Sequence, residues 1–216
     1  MNISDGIRIN ELHSYHDFKL SIKARSISLP EKKSIRETVP YMNGYYDFSA
    51  LNGAITWNER TIEYTFDVMA DNPQALEIDI GRIVDWLCDV HDVDIFDDTL
   101  TRYHWHGSYD TCNVKYDDCG ECAEIKVAFV VYPFKIADEP TIYTMAEGQY
   151  SIYNTGMIVV PYAYSTSAAT VKIGTSIASV PANQKTKLNM DLERGENTVI
   201  VTGDDGIEFS FYEEVI

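Results

Sequence analysis

The run from Thr61 to Val68 constrains this chain most. Ile62, Tyr64, Phe66 and Val68 fall on one face and Thr61, Glu63, Thr65 and Asp67 on the other, the two-residue period of a half-buried strand. This run closes a stretch, Arg36 to Ala70, that reads as two extended segments around a turn-rich loop. A helix-start signal follows at once, with Asn72 as N-cap and Pro73 at the first helical position. From Pro73 to about His91, Leu76, Ile80, Ile83, Val84, Leu87 and Val90 recur at helical spacing, while Glu77, Arg82, Asp85 and Asp89 face elsewhere. The stripe predicts one amphipathic helix packed against a sheet.

Strand-like alternation governs the remainder. Phe18, Leu20, Ile22 and Ala24 alternate with Lys19, Ser21 and Lys23, predicting an early strand with a basic outer face. Ile125, Val127, Phe129 and Val131 predict a stronger one within Glu124 to Phe134, ended by Pro133. The acidic turn Ala137-Asp-Glu-Pro140 sets the expected domain boundary, giving domains 1–139 and 140–216. Beyond it, short β-rich runs separated by turn clusters suggest an all-β sandwich. Gly203-Asp-Asp-Gly206 is expected to close a terminal hairpin. The expected fold class is therefore mainly β, with one main helix.

Composition narrows the function. With 216 residues, 45% of them apolar, the chain can build a core, and no apolar run approaches the ~18 residues of a membrane span. The start, Met1 to Tyr15, shows no basic region followed by an apolar one, so synthesis and retention in a cytoplasm are expected until assembly. The net charge is −17 and unevenly placed. Between Asp67 and Glu124, 15 Asp or Glu face only Arg82, Arg102 and Lys115, whereas residues 1–66 balance. Such a surface repels phosphate backbones and argues against sequence-independent nucleic-acid binding.

The phrase Pro40-Tyr-Met-Asn-Gly-Tyr-Tyr-Asp-Phe-Ser49, with its order of strand, loop, long alternating strand and helix, resembles the amino-terminal domain of distal tail proteins of long-tailed bacteriophages. Tyr153-Asn-Thr-Gly156 running into Pro161-Tyr162, and Leu192-Glu-Arg-Gly-Glu-Asn-Thr-Val-Ile-Val-Thr-Gly203, resemble the opening and closing segments of that family's carboxy-terminal β-sandwich. The resemblance implies an N-terminal β-barrel- or sandwich-like ring domain and a C-terminal galectin-like or carbohydrate-module-like sandwich. It also implies a structural, non-enzymatic virion protein at the tail tip. There a homo-hexameric ring would join the tail tube to the baseplate or receptor-binding apparatus, closing through heterologous contacts. DNA would pass through the lumen unbound, eased by the Asp67–Glu124 acidic segment if it lines the channel. The runner-up is a carbohydrate-binding module on an assembly domain. An exposed row among Tyr143, Tyr150, Tyr153, Tyr162 and Tyr164 would favour it.

Other chemistry is thinly represented. Cys119-Gly-Glu-Cys122, with Cys112, His104 and His106 nearby, offers zinc-type ligands, but a single CxxC lacks a second knuckle. Reduced thiols in a hairpin tip are the default, with a zinc-stapled or disulfide-linked hairpin as alternatives, and no metal ligand or cofactor is assigned. Cys88 is expected to be a small packing residue within the helix. His104 and His106 are expected on one exposed strand face, opposite Trp105. Asp92 to Asp98 imitates a calcium loop, yet the sixth and twelfth places hold Asp97 and Tyr103 instead of Gly and Glu. There is no phosphate loop, nucleophile elbow or zinc-protease helix, so no catalytic residue is expected.

Overall fold

The computed structural model describes residues 5–50, 55–203 and 206–216. They fall into two compact units, one running to Lys135 and including Ile216, the other Ile136–Val215. The expected mainly-β class holds throughout.

The first unit contains β1 (Ile7–Ile9), β2 (Leu12–His13), α1 (Ser14–Phe18), β3 (Ser21–Ile27), β4 (Arg36–Glu37), β5 (Tyr46–Asp47), β6 (Arg60–Met69), α2 (Pro73–Cys88), β7 (Val93–Asp97), β8 (Tyr103–Tyr116) and β9 (Cys122–Val131). Its main sheet runs β2–β1–β7–β8–β9–β6–β3 with antiparallel neighbours. At its centre β6 pairs β9 from Arg60↔Val131 to Met69↔Cys122. The apolar faces predicted for these two strands, Ile62 to Val68 and Ile125 to Val131, are all buried. Burying each such side chain contributes about 1.5–3 kcal/mol. Helix α2 starts as expected, with Asn72 Oδ1 accepting the Ala75 N–H at 2.9 Å. Its stripe of Leu76, Ile80, Ile83 and Leu87 joins the same core, and Trp86 stacks on Phe18 at 4.7 Å. The helix stops at Cys88, short of His91, and Cys88 is exposed instead of packed. It lies one position beyond Leu87, off the buried stripe.

The early strand differs from expectation. Ser14 to Phe18 form α1, because His13 Nδ1 accepts the N–H groups of Tyr15 and His16, and Lys19 at φ 59° ends the turn. Strand β3 then carries a bulge between Ile22 and Ala24, which inverts the alternation. Ala24 is exposed and Arg25 turns inward. The inversion brings Arg25 Nε to 3.0 Å from Asp97 Oδ2, while Lys23 stays outside, bridging Asp67 and Glu124.

In the second unit the chain passes through β10 (Lys135–Ala137), β11 (Thr141–Met145), β12 (Gly148–Asn154), β13 (Tyr162–Tyr164), β14 (Ala169–Ile173), β15 (Ser176–Val180), β16 (Thr186–Lys187), β17 (Gly195–Thr202), β18 (Ile207–Phe211) and β19 (Glu214–Val215). Two four-stranded sheets, β11–β18–β13–β16 and β12–β17–β14–β15, share one core that includes Met145, Ala163, Val171, Val199 and Phe209. This is the expected sandwich. The terminal hairpin is not formed. Strand β17 pairs β12 and β14 while β18 pairs β11 and β13, so the chain crosses between sheets around Gly203 and Gly206. The crossing lets Val199 and Val201 face Ile207 and Phe209 across the core, where a hairpin would have put them side by side in one sheet. Asp204 and Asp205, central to the expected tight loop, lie outside the described residues.

Candidate functional site

Past Ile27 the chain leaves the main sheet of the first unit and returns only at Arg60. A clamp holds the base: the Ser28 hydroxyl accepts the Thr61 N–H and donates to the Thr61 carbonyl, each at 2.9 Å. Outward from it, Lys32 bridges Trp57, then β4 pairs β5 through Arg36↔Asp47 and Glu37↔Tyr46. Tyr41 and Gly44 turn the tip at φ 72° and 92°. Residues 51–54 of the returning arm lie outside the described residues.

From Glu31 to Phe48 no residue is buried. The arm nevertheless carries Leu29, Ile35, Val39, Tyr41, Tyr46 and Phe48 in exposed positions, with Tyr41 completely in solvent. Its internal support is local. Arg36 lies over Tyr45 at 4.4 Å, and Tyr46 stacks loosely on Phe48 at 6.2 Å. Asp47 accepts the Ser49 N–H at 2.9 Å, and this contact with Ser49, assisted by Arg36, holds its carboxyl below the usual range. A two-stranded ladder without a core is marginal in water, and clustered exposed apolar side chains mark an interaction surface. The aromatic density of Tyr41, Tyr45, Tyr46 and Phe48 was the signal in the sequence for this surface; what the sequence hid was that none of them is buried.

The residues singled out for chemistry separate into distinct places. His104 and His106 do share a face of β8, opposite the buried Trp105, but His104 is buried beside Phe96 and not exposed. The phenyl ring of Phe96 from neighbouring β7 covers it, at 4.9 Å between ring centroids. Asp94 Oδ1 is 2.7 Å from His106 Nδ1 and 3.5 Å from His104 Nε2, and Asp92 Oδ1 is 3.0 Å from His106 Nε2. The hydrogen bond to Asp94 leads in raising the His106 pKa, with Asp92 adding to it. Asp92 to Asp98 is not a cation loop: Val93–Asp97 is strand β7, and Asp97 points into the core. There Tyr64 donates to Asp97 Oδ2 at 2.9 Å, and Thr99 donates through its N–H and hydroxyl to Oδ1.

At the tip of the β8–β9 hairpin, Asp117, Cys119 and Cys122 bring one ligand atom each to within 4.8 Å of one another. Cys112 is not among them; it stands opposite Val127 further along the hairpin. Exposed Cys88 is hydrogen-bonded to Tyr109, whose hydroxyl is thereby pushed up to about 12.

The tyrosines of the second unit form no common row. Tyr143 and Tyr150 pack against the sandwich core, Tyr153 lies on the outer face of one sheet, and Tyr162 and Tyr164 are on β13 of the other. Lys185 and Lys187 lie over the Tyr162 ring at 5.6 and 5.9 Å. Among the described residues no helix is long and apolar enough to cross a membrane.

No protein-family model matches the sequence, and no curated protein matches it. Among solved structures, the chain is similar to the Dit (gp 19.1) protein of phage SPP1, described as a paradigm of the hub adsorption apparatus in phages infecting Gram-positive hosts. The two are 12% identical, the alignment covers 98% of this chain and 99% of the other, and the TM-score is 0.76. The chain therefore has the fold of that tail hub protein over nearly its whole length. A structure of the phage P2 baseplate in its activated conformation with Ca matches at 8% identity, covering 90% of each chain, with a TM-score of 0.43, too low to carry an argument.

Proposed function

We propose that this chain is a distal tail protein of a siphophage-type virion or prophage, a non-enzymatic hub that closes into a ring at the tail tip. The observation that carries the assembly reading is the arm beyond the Ser28 clamp, where from Glu31 to Phe48 the apolar side chains Ile35, Val39, Tyr41, Tyr46 and Phe48 are all exposed. Its occupant is a second copy of the chain. A patch that meets a different patch on the next copy generates a ring when the rotation closes, and the arm is such a one-sided connector. Hexameric closure follows the family resemblance, and the SPP1 fold match supports the same class of protein. The ring domain is 1–139 and the sandwich, 140–216, docks a baseplate or receptor-binding protein, while the ring seats the tail tube.

The protein is made in the bacterial cytoplasm and resides in the virion. DNA passes the lumen without being bound, because the acidic segment between Asp67 and Glu124 faces the channel. Light scattering across a concentration series, with negative-stain images, tests the assembly. Annular particles near six subunits are expected. The variant Tyr41→Ser/Tyr46→Ser/Phe48→Ser should stay folded, since these side chains are already exposed, and should remain a monomer. A ring that forms equally well in that variant would remove the arm from the interface.

A further inference from the structure

We propose that Asp117, Cys119 and Cys122 form a zinc site at the tip of the β8–β9 hairpin. The backbone of the turn is already closed around it: Asp117 N–H donates to the Cys122 carbonyl and Gly120 N–H to the Asp117 carbonyl, each at 3.0 Å. Gly120 sits at φ 72°, a conformation that favours glycine and lets the chain reverse between the two cysteines. The Asp118 N–H holds Asp117 Oδ1 at 2.7 Å, and Cys119 Sγ is 3.4 Å from Asp117 Oδ2. Two thiolates and a carboxylate bound tetrahedrally, with Zn–S about 2.3 Å and Zn–O about 2.1 Å, stand roughly 3.5–3.8 Å apart. The ligand atoms lie within 4.8 Å, so side-chain rotation of about 1 Å completes the set. The thiolate pair selects zinc over calcium or magnesium, which prefer all-oxygen shells.

The remaining position is open to water, since Asp117 and Cys119 are exposed. Binding one Zn²⁺ releases the two thiol protons and leaves the metal with two thiolates and a carboxylate. Neither Cys88 nor Cys112 belongs to the site, and this separates it from adventitious thiol binding.

Titration of the full chain, reduced with a phosphine, with Co²⁺ and then Zn²⁺ tests the site. A sulfur-to-cobalt charge-transfer band saturating at one equivalent and displaced by Zn²⁺ is expected. It should be lost in Cys119→Ser and in Cys122→Ser, at least tenfold weaker in Asp117→Asn, and unchanged in Cys88→Ser and Cys112→Ser. No band, or a band that survives Cys119→Ser, overturns the proposal. On the unaltered protein, Zn²⁺ should slow iodoacetamide alkylation of Cys119 and Cys122 at least tenfold and leave Cys88 unaffected. Equal rates with and without zinc, or protection by a spontaneous Cys119–Cys122 disulfide alone, likewise overturn it.

Discussion

Asp97 is a carboxylate in a hydrophobic core, tolerable because Tyr64, Arg25 and Thr99 surround both its oxygens. Removing one partner of a buried ion pair leaves the other uncompensated and typically costs about 3–5 kcal/mol. Asp97→Ala is therefore expected to lower the unfolding free energy measured by chemical denaturation by that amount, and Thr99→Ala by about 1 kcal/mol for its lost hydrogen bond. His106 presents a different balance. Each ring nitrogen faces a carboxylate, Asp94 and Asp92, an arrangement that suits the doubly protonated imidazolium. Its folded pKa is raised, chiefly by Asp94. The stabilisation is then complete below the unfolded value of about 6.5 and fades as pH rises through the folded one. Thermal melts between about pH 6 and pH 8 should fall more steeply for the native protein than for His106→Gln. The acidic run Asp92 to Asp98 gave no hint of these roles. One-residue alternation on a short strand with charges on both faces looks the same as a solvated loop until the partners, Arg25 and Tyr64, are brought up by other strands.

At the scale of elements, legibility followed burial on one side only. Strands β6 and β9 and helix α2 each have a strongly apolar face. The periodicity named the buried residues of both strands and most of those of the helix, although Val84 is only half-buried and Val90 lies past the helix end at Cys88. Helix α1 is too short for a period and depends on the His13 side chain as its cap. The bulge in β3 exists to deliver Arg25 to Asp97, a tertiary demand that local sequence does not display. The crossing between β17 and β18 was missed for a similar reason, since alternation tells which residues are inside and not which sheet holds them. Gly107 belongs to this class. Strand β8 turns there from β7 towards β9, and a methyl group would run into the Val130 carbonyl and Val131. Gly107→Ala is expected to cost about 1–3 kcal/mol, as overpacking does, measurable as a shift in chemical denaturation midpoint with an unchanged slope.

For the molecule as a whole, charge and topology matter more than any one contact. With a net charge of −17, the protein should not retard double-stranded DNA in gel-shift experiments at physiological salt, and lowering the salt should not rescue binding. Retention that grows as salt falls would mean that cationic residues, not the acidic segment, face the duplex. The sequence made an assembly role readable through its resemblance, but the surface itself became visible only once the arm's aromatics were seen to lack burial. The pairing of Thr141 with Phe211 and of Gly148 with Val201 also governs how the chain is born. On a ribosome, β11 must wait for about 70 further residues, roughly 4–14 s at typical elongation rates. The first unit, of which only Ile216 comes after Lys135, can fold during that interval. The opening strands of the sandwich meanwhile emerge with bare edges, so a stalled or truncated nascent chain releases a folded first unit trailing unpaired β-strands, the species that chaperones must hold until the second unit closes.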